Sequence, residues 1–238
     1  MEHPVPSGPL AVRWLRTSVG EIRAGTLTAA HVELENAGLA PWRAGVSASY
    51  HWLDERGNPL FWDGLRTPLE LEPGGRTELE LLLRGPIPPG AYRLAFDLVD
   101  EGRLWFAEVG NHTPELEVEV LPRNADGAVD WLPADAEPAP DRAARVGAAH
   151  EEGYAAVGGS LDVVVGRLGR VPEELKPYSP GAGRNPAFPY PLLCPSLLPG
   201  LEPNDEVAGL PAWRPEGDEP WLYDGRITAR LRAGRRGG

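Results

Sequence analysis

A chain of 238 residues with 23 basic and 35 acidic side chains carries a formal net charge of -12. That balance repels a polyphosphate backbone and an anionic bilayer surface alike, which disfavours nucleic-acid and membrane partners. Hydrophobic residues, 42% of the total, supply a core for one large domain or two small ones, while 29 glycines and 27 prolines demand many turns and irregular loops.

Residues 1–11, with Pro4, Pro6 and Pro9, read as a disordered or extended lead-in. They lack the apolar stretch of a signal peptide, and no later run is long enough to span a bilayer, so the expected location is the cytoplasm. Leu27 to Asn36 then alternates, with Ala30, Val32 and Leu34 on one face and His31, Glu33 and Glu35 on the other. That is the period of a half-buried strand. Val46 to Leu53 repeats the pattern through Val46, Ala48, Tyr50 and Trp52, and the cluster from Asp54 to Pro59 turns the chain. Leu60 to Trp62 and Leu69 to Leu71 are short strand candidates. Arg76 to Arg84 places Thr77, Leu79, Leu81 and Leu83 on one face, and Tyr92 to Val99 does the same with Tyr92, Leu94, Phe96 and Leu98. Asp100-Glu101-Gly102 is a hairpin turn into Leu104 to Phe106, and Leu116, Val118 and Val120 face inward against three glutamates. Seven or more short strands at this spacing predict an antiparallel β-sandwich over residues 12–121. Tyr92 at a strand start just after Gly90 has the placing of a tyrosine corner.

Beyond Leu121 the texture changes. Residues 122–140 read as a Pro-, Ala- and Asp-rich linker. Residues 141–238 read as an irregular extension or small domain with one short helix, Asp141 to Glu152. Tyr154 to Val165 suggests a glycine-interrupted strand pair, and Trp221 to Leu231 a last strand. Between them, Pro172 to Pro220 is too apolar for free disorder and too broken by Pro and Gly for regular elements. Arginine is abundant beside a lone Lys176, the codon bias of a GC-rich bacterial genome.

Three stretches carry a resemblance: Asn36-Ala37-Gly38 leading to Trp42, the run from Tyr50 to Leu69, and the run from Pro88 to Phe106. Together they resemble a bacterial immunoglobulin-like module found beside glycosyltransferases and in other surface-polysaccharide proteins. The early half is also similar to the four-tryptophan domain of autophagy receptors. The resemblance spans residues 12–120. It implies an immunoglobulin-like fold and non-catalytic work: spacing, docking or glycan contact.

Trp42, Trp62 and Trp105 are the candidate ligand residues, with Asp63 and Arg66 beside Trp62 in one loop. Sugars present flat C–H faces that pack on aromatic rings, and the carboxylate and guanidinium would fix hydroxyls. The simpler account makes all three rings caps on the core, with Arg66 over one of them in a cation–π contact worth roughly 0.5–1 kcal/mol. His150, Glu151 and Glu152 could form an acid/base site, although charges at a helix end before Gly153 explain them as well. Cys194 could serve as a nucleophile with His150, but a cysteine among leucines and prolines is usually a buried small hydrophobe. As the sole cysteine it makes no intrachain disulfide, gives no metal-ligand spacing and suits a reducing compartment. The glycine-rich run from Gly181 to Pro186 lacks the lysine of a phosphate loop. Asn111-His112-Thr113 is a formal glycosylation sequon that reads as a loop before the last strand of the sandwich. The arginines after Tyr223 read as a solvated tail.

No residue pattern calls for a cofactor or metal. The resemblance, with no catalytic constellation beside it, implies a binding or docking module in bacterial polysaccharide assembly or export, taking a glycan or a glycosyltransferase or exporter partner. The alternatives are a small enzyme on sugars or sugar conjugates and a purely structural spacer. Oligomeric state is not encoded in any pattern, and the glutamates alternating along residues 115–119 protect that strand against edge pairing.

Overall fold

The computed structural model describes residues 5–165, 173–178 and 190–233. The chain is mainly β, with one α-helix among the described residues, and it divides into two compact units, Met1–Leu121 and Pro122–Gly238. Among the described residues no helix is long and apolar enough to cross a membrane.

In the first unit the strands are β1 (Val12–Val19), β2 (Ile22–Arg23), β3 (Leu27–Asn36), β4 (Val46–Leu53), β5 (Pro59–Phe61), β6 (Thr67–Pro68), β7 (Arg76–Arg84), β8 (Gly90–Asp100), β9 (Leu104–Trp105) and β10 (Glu115–Leu121). They form two sheets. One runs β1-β3-β7 and the other β2-β10-β8-β4-β5, with β6 on β4 and β9 on β8. Every pairing is antiparallel except the short β2–β10 contact. Both sheets feed one core: Ala30, Val32, Leu34, Leu81 and Leu83 from the first, and Ala48, Tyr50, Trp52, Leu94, Phe96 and Leu98 from the second. These are the residues that the alternation assigns to the inner faces. Strand β1, which that alternation leaves unassigned, pairs along most of β3.

Side chains lock the turns between strands. The Tyr92 hydroxyl donates to the Pro88 carbonyl, four residues upstream, at 2.6 Å. Tyr50 and Trp52 reach across to the backbone of one residue of the other sheet: the Arg84 amide donates to the Tyr50 hydroxyl (2.8 Å) and Trp52 Nε1 donates to the Arg84 carbonyl (2.9 Å). Asn36 explains the asparagine-glycine turn. Its amide donates to the Ala40 and Leu71 carbonyls, and its side-chain oxygen accepts from the Gly38 amide. A Cβ on Gly38 would overlap the Pro9 carbonyl oxygen. The segment before β1 is consequently not a free lead-in as far as it is described. Amides of Ala37, Leu39 and Ala40 donate to carbonyls of Ala11, Gly8 and Pro9, and Ala11 is fully buried.

The second unit is more regular than its Pro and Gly content predicts. Its strands are β11 (Val129–Asp130), β12 (Glu137–Pro138), β13 (Ala156–Val165), β14 (Leu192–Leu193), β15 (Ser196–Leu197), β16 (Asp205–Val207), β17 (Leu210–Trp213) and β18 (Trp221–Ala233). The expected linker therefore holds two strands, and the stretch from 192 to 213 holds four. They are two to four residues long, too short to show periodicity, and apart from the β16–β17 hairpin they gain order from pairing with distant partners. The order is β11-β15-β13-β18-β12 in one sheet and β14-β17-β16 in the other. The glycine-interrupted stretch is one strand, β13, parallel to β18 with a register shift between Gly159 and Ser160. Helix α1 (Arg142–Glu152) ends at Gly153, whose φ of 133° lies outside the region side chains favour. A core of Ala156, Leu161, Leu192, Leu197, Trp213 and Tyr223 closes this unit.

A Cβ on Gly159 would overlap the carbonyl oxygen of Ile227 across the β13–β18 shift. Gly159→Ala is expected to destabilise the second unit by about 1–3 kcal/mol through forced backbone displacement. Hydrogen exchange should show faster exchange along β13 and β18, with protection of β4 and β8 unchanged.

Candidate functional site

The site grows from β4. All eight of its residues are buried. Val46, Ala48, Tyr50 and Trp52 belong to the core, so Ser47, Ser49 and His51 point to the opposite face, where β8 sets Asp97 opposite Ser49. Buried polar groups need partners and a cover. The loop after β5 and the turn after β9 supply both.

His51 is 2% exposed and lies under the Trp62 ring, with centroids 3.9 Å apart and planes at 16°. Its Nδ1 donates to the Trp62 carbonyl, so one imidazole fixes both the backbone and the ring of that residue. Nε2 has no hydrogen-bond partner among the described residues and sits 3.5 Å from Asp97 Oδ2. Asp97 in turn accepts from the amides of Leu98 (2.8 Å) and Ala107 (3.2 Å), pinning the 3-10 turn Phe106–Val109. Trp105 meets His51 edge-on at 4.5 Å and Trp62 at 6.1 Å. Arg66 lies over Trp105, 4.8 Å from the ring centroid. Its Nε donates to Glu101 (2.5 Å), its Nη1 to Ser49 Oγ (3.0 Å) and the Gly64 carbonyl, and its Nη2 to Asp63 (3.1 Å). Gly64 allows the loop to lie this close: its amide donates to the Tyr50 carbonyl at 3.2 Å, and a Cβ there would overlap that oxygen.

The structure thus unites Trp62, Asp63, Arg66 and Trp105, and it separates Trp42 from them. Trp42 is fully buried in the core, edge-on to Phe106 at 5.7 Å, and cannot meet a ligand. The role of Arg66 also changes. Four of its five N–H donors are engaged by its own chain, so it serves as a strut. The cation–π contact falls on Trp105, as the packing account has it. Trp62 is different: one face rests on His51, yet the residue is 44% exposed. His51, Asp97, Ser49 and Glu101 are the members that sequence patterns miss. The available signal is the run of small or polar residues at Ser47, Ser49 and His51, where an exposed strand face would carry charge.

The other candidates resolve into structural ties. In the second unit His150 is fully buried. Its Nδ1 donates to the Tyr154 carbonyl (2.8 Å), which leaves Nε2 to accept from Ser196 Oγ (2.9 Å). The serine is 1% exposed, so this pair fastens α1 to β15 out of reach of a substrate. Glu151 is exposed, and it serves through its backbone, which accepts from the Arg123 amide. Glu152 is half-buried at the end of α1, and the hydrogen bonds of His150 run to Tyr154 and Ser196. Cys194 is buried at a φ of 46°, and burial pushes its thiol up to about 12, the opposite of nucleophile activation. Asn111, the sequon residue, is 7% exposed; it accepts from the Val12 amide and donates to the Leu10 and Phe106 carbonyls. The glycine-rich run from Gly181 to Pro186 and the arginines at 235 and 236 lie outside the described residues. Arg226 and Arg230 are described, and they pair with Asp224 (2.6 Å) and Asp162 (3.0 Å) instead of forming a free basic tail.

No family model matches the chain, and no curated protein matches it. Among solved structures it is similar over 46% of its length to a β-glucosidase from Listeria innocua in complex with gluconolactone, at 14% identity and a TM-score of 0.30. The match spans only 15% of that enzyme. It is also similar over 51% of its length to the ASH / PapD-like domain of human CEP192, of which 90% is covered, at 18% identity and a TM-score of 0.26.

Burial holds the His150 imidazole below its ordinary value of 6.5. The unfolded chain then binds the proton more tightly than the folded one, so this contribution to stability is complete above pH 6.5 and is lost as pH falls through the folded-state value. The unfolding midpoint is expected to fall on acidification below that pH, and to fall less in His150→Gln, as thermal denaturation across a pH series will read. Cys194 is expected to resist alkylation in the native protein and to react at once in denaturant, as a thiol-reactive chromophore will show.

Proposed function

We propose that this chain is a non-catalytic binding module whose first unit is an immunoglobulin-like sandwich that presents Trp62 to carbohydrate, in the cytoplasmic assembly or export of a bacterial polysaccharide. The observation that carries the reading is the Trp62 ring, stacked flat on a buried imidazole in a residue that is still 44% exposed. A sugar ring offers a C–H face of matching flatness. A pre-oriented indole meets it without the cost of freezing a mobile side chain. Trp105 and the Arg66 strut hold the loop from the side, and Asp63, with its side chain 79% exposed, stands next to the ring as an acceptor for hydroxyls. The two sheets around one core and the Tyr92–Pro88 bond support the sandwich assignment. The lone buried thiol supports the cytoplasm. The polysaccharide context rests on the sequence resemblance.

A glycan array with the purified chain beside Trp62→Ala is the test, with circular dichroism to confirm that both are folded. A saturable hit weakened at least about tenfold in the variant is expected, the loss that follows removal of a well-packed aromatic contact. A blank from folded protein overturns the carbohydrate reading and leaves the exposed row Leu60, Phe61 and Trp62 as an edge for docking protein.

A further inference from the structure

The charges around Trp62 bear on the kind of glycan, an inference that rests on the carbohydrate reading above. Four of the five N–H donors of Arg66 go to Glu101, Ser49, Gly64 and Asp63, and Trp105 covers one of its faces. Arg103 pairs with Asp100 at 2.6 Å. Both carboxylates that hold Arg66 keep solvent access, with side chains 79% exposed at Asp63 and 46% at Glu101. One guanidinium against two carboxylates leaves a local negative charge. Asp63 directly follows Trp62 in the chain, and an indole's π-cloud also attracts cations. The chain's net charge of -12 adds the same preference at longer range. An anionic sugar meets net repulsion here. A neutral sugar gains the ring alone.

We propose that the Trp62 site selects glycans bearing free amines, taking the ammonium of a de-N-acetylated amino sugar between the indole face and the carboxylates of Asp63 and Glu101. The ammonium satisfies the surplus carboxylate charge, and the sugar's C–H face still packs on the ring. Attraction between exposed charges is screened by salt, so the preference belongs to low ionic strength.

The test is calorimetric titration of the full chain with fully deacetylated glucosamine tetramer, its N-acetylated twin and a galacturonate tetramer. At low salt the amine form is expected to bind about fivefold or more tighter than the acetylated form, with the galacturonate weakest, and the gap is expected to narrow at high salt. Asp63→Asn, at a position too exposed to threaten the fold, is expected to bring the amine and acetylated forms close to parity. Equal or tighter binding of the acetylated tetramer overturns the amine preference and leaves the carbohydrate reading standing. An amine preference undiminished in Asp63→Asn overturns the assignment of the carboxylate. Absence of binding by all three tetramers, together with a blank array, removes both.

Discussion

A strand buried on both of its faces governs the first unit. Strand β4 gives one face to the core, where Tyr50 and Trp52 also bond the backbone of Arg84 in the other sheet. Its second face carries Ser47, Ser49 and His51, which cannot be left dry and unpaired. Everything distinctive about the site answers that requirement. Arg66 satisfies Ser49, the Trp62 carbonyl takes the Nδ1 proton of His51, and the two indoles close over them. The exposed Trp62 ring is therefore held by the same contacts that make the polar face tolerable. Binding surface and fold stability share these residues.

Much of this was legible from residue order, for a physical reason. Strands β3, β4 and β7 are long and alternate cleanly, so their limits match the reading from residue order. The cluster of Trp62, Asp63 and Arg66 was legible because it lies within one loop. His51, Asp97 and Glu101 were not, since they join it only through the β4–β8 register and the hairpin at Asp100. Trp42 shows the opposite limit. An aromatic residue near a turn carries no mark of whether it looks inward or outward, and this one is wholly inside. The second unit hides its strands because β11, β12, β14 and β15 are two residues long and pair with distant segments.

Groups that suggest chemistry in the second unit act as fasteners instead. Arg142, 1% exposed at the start of α1, forks onto the Asp130 carboxylate of β11 at 2.9 and 2.8 Å and reaches the Cys194 carbonyl. His150, at the other end of the helix, accepts from Ser196 of β15. The two contacts fix the ends of α1 on the sheet, and removing the Asp130 carboxylate would leave the buried Arg142 guanidinium without its counter-charge.

The position of β18 has a consequence for biosynthesis. This segment, Trp221–Ala233, lies inside its sheet between β13 and β12, and it is the partner along the whole length of β13. A nascent chain can complete the first unit as soon as Leu121 clears the exit tunnel. It cannot close the second until a stretch more than fifty residues downstream of β13 has emerged as well. Throughout that interval β13 is a strand without its neighbour, with apolar Leu161 uncovered and an unpaired edge. The polar and glycine-broken character of Gly158, Gly159, Ser160 and Asp162 then acts as a safeguard on the ribosome, keeping the waiting strand from pairing with the wrong chain.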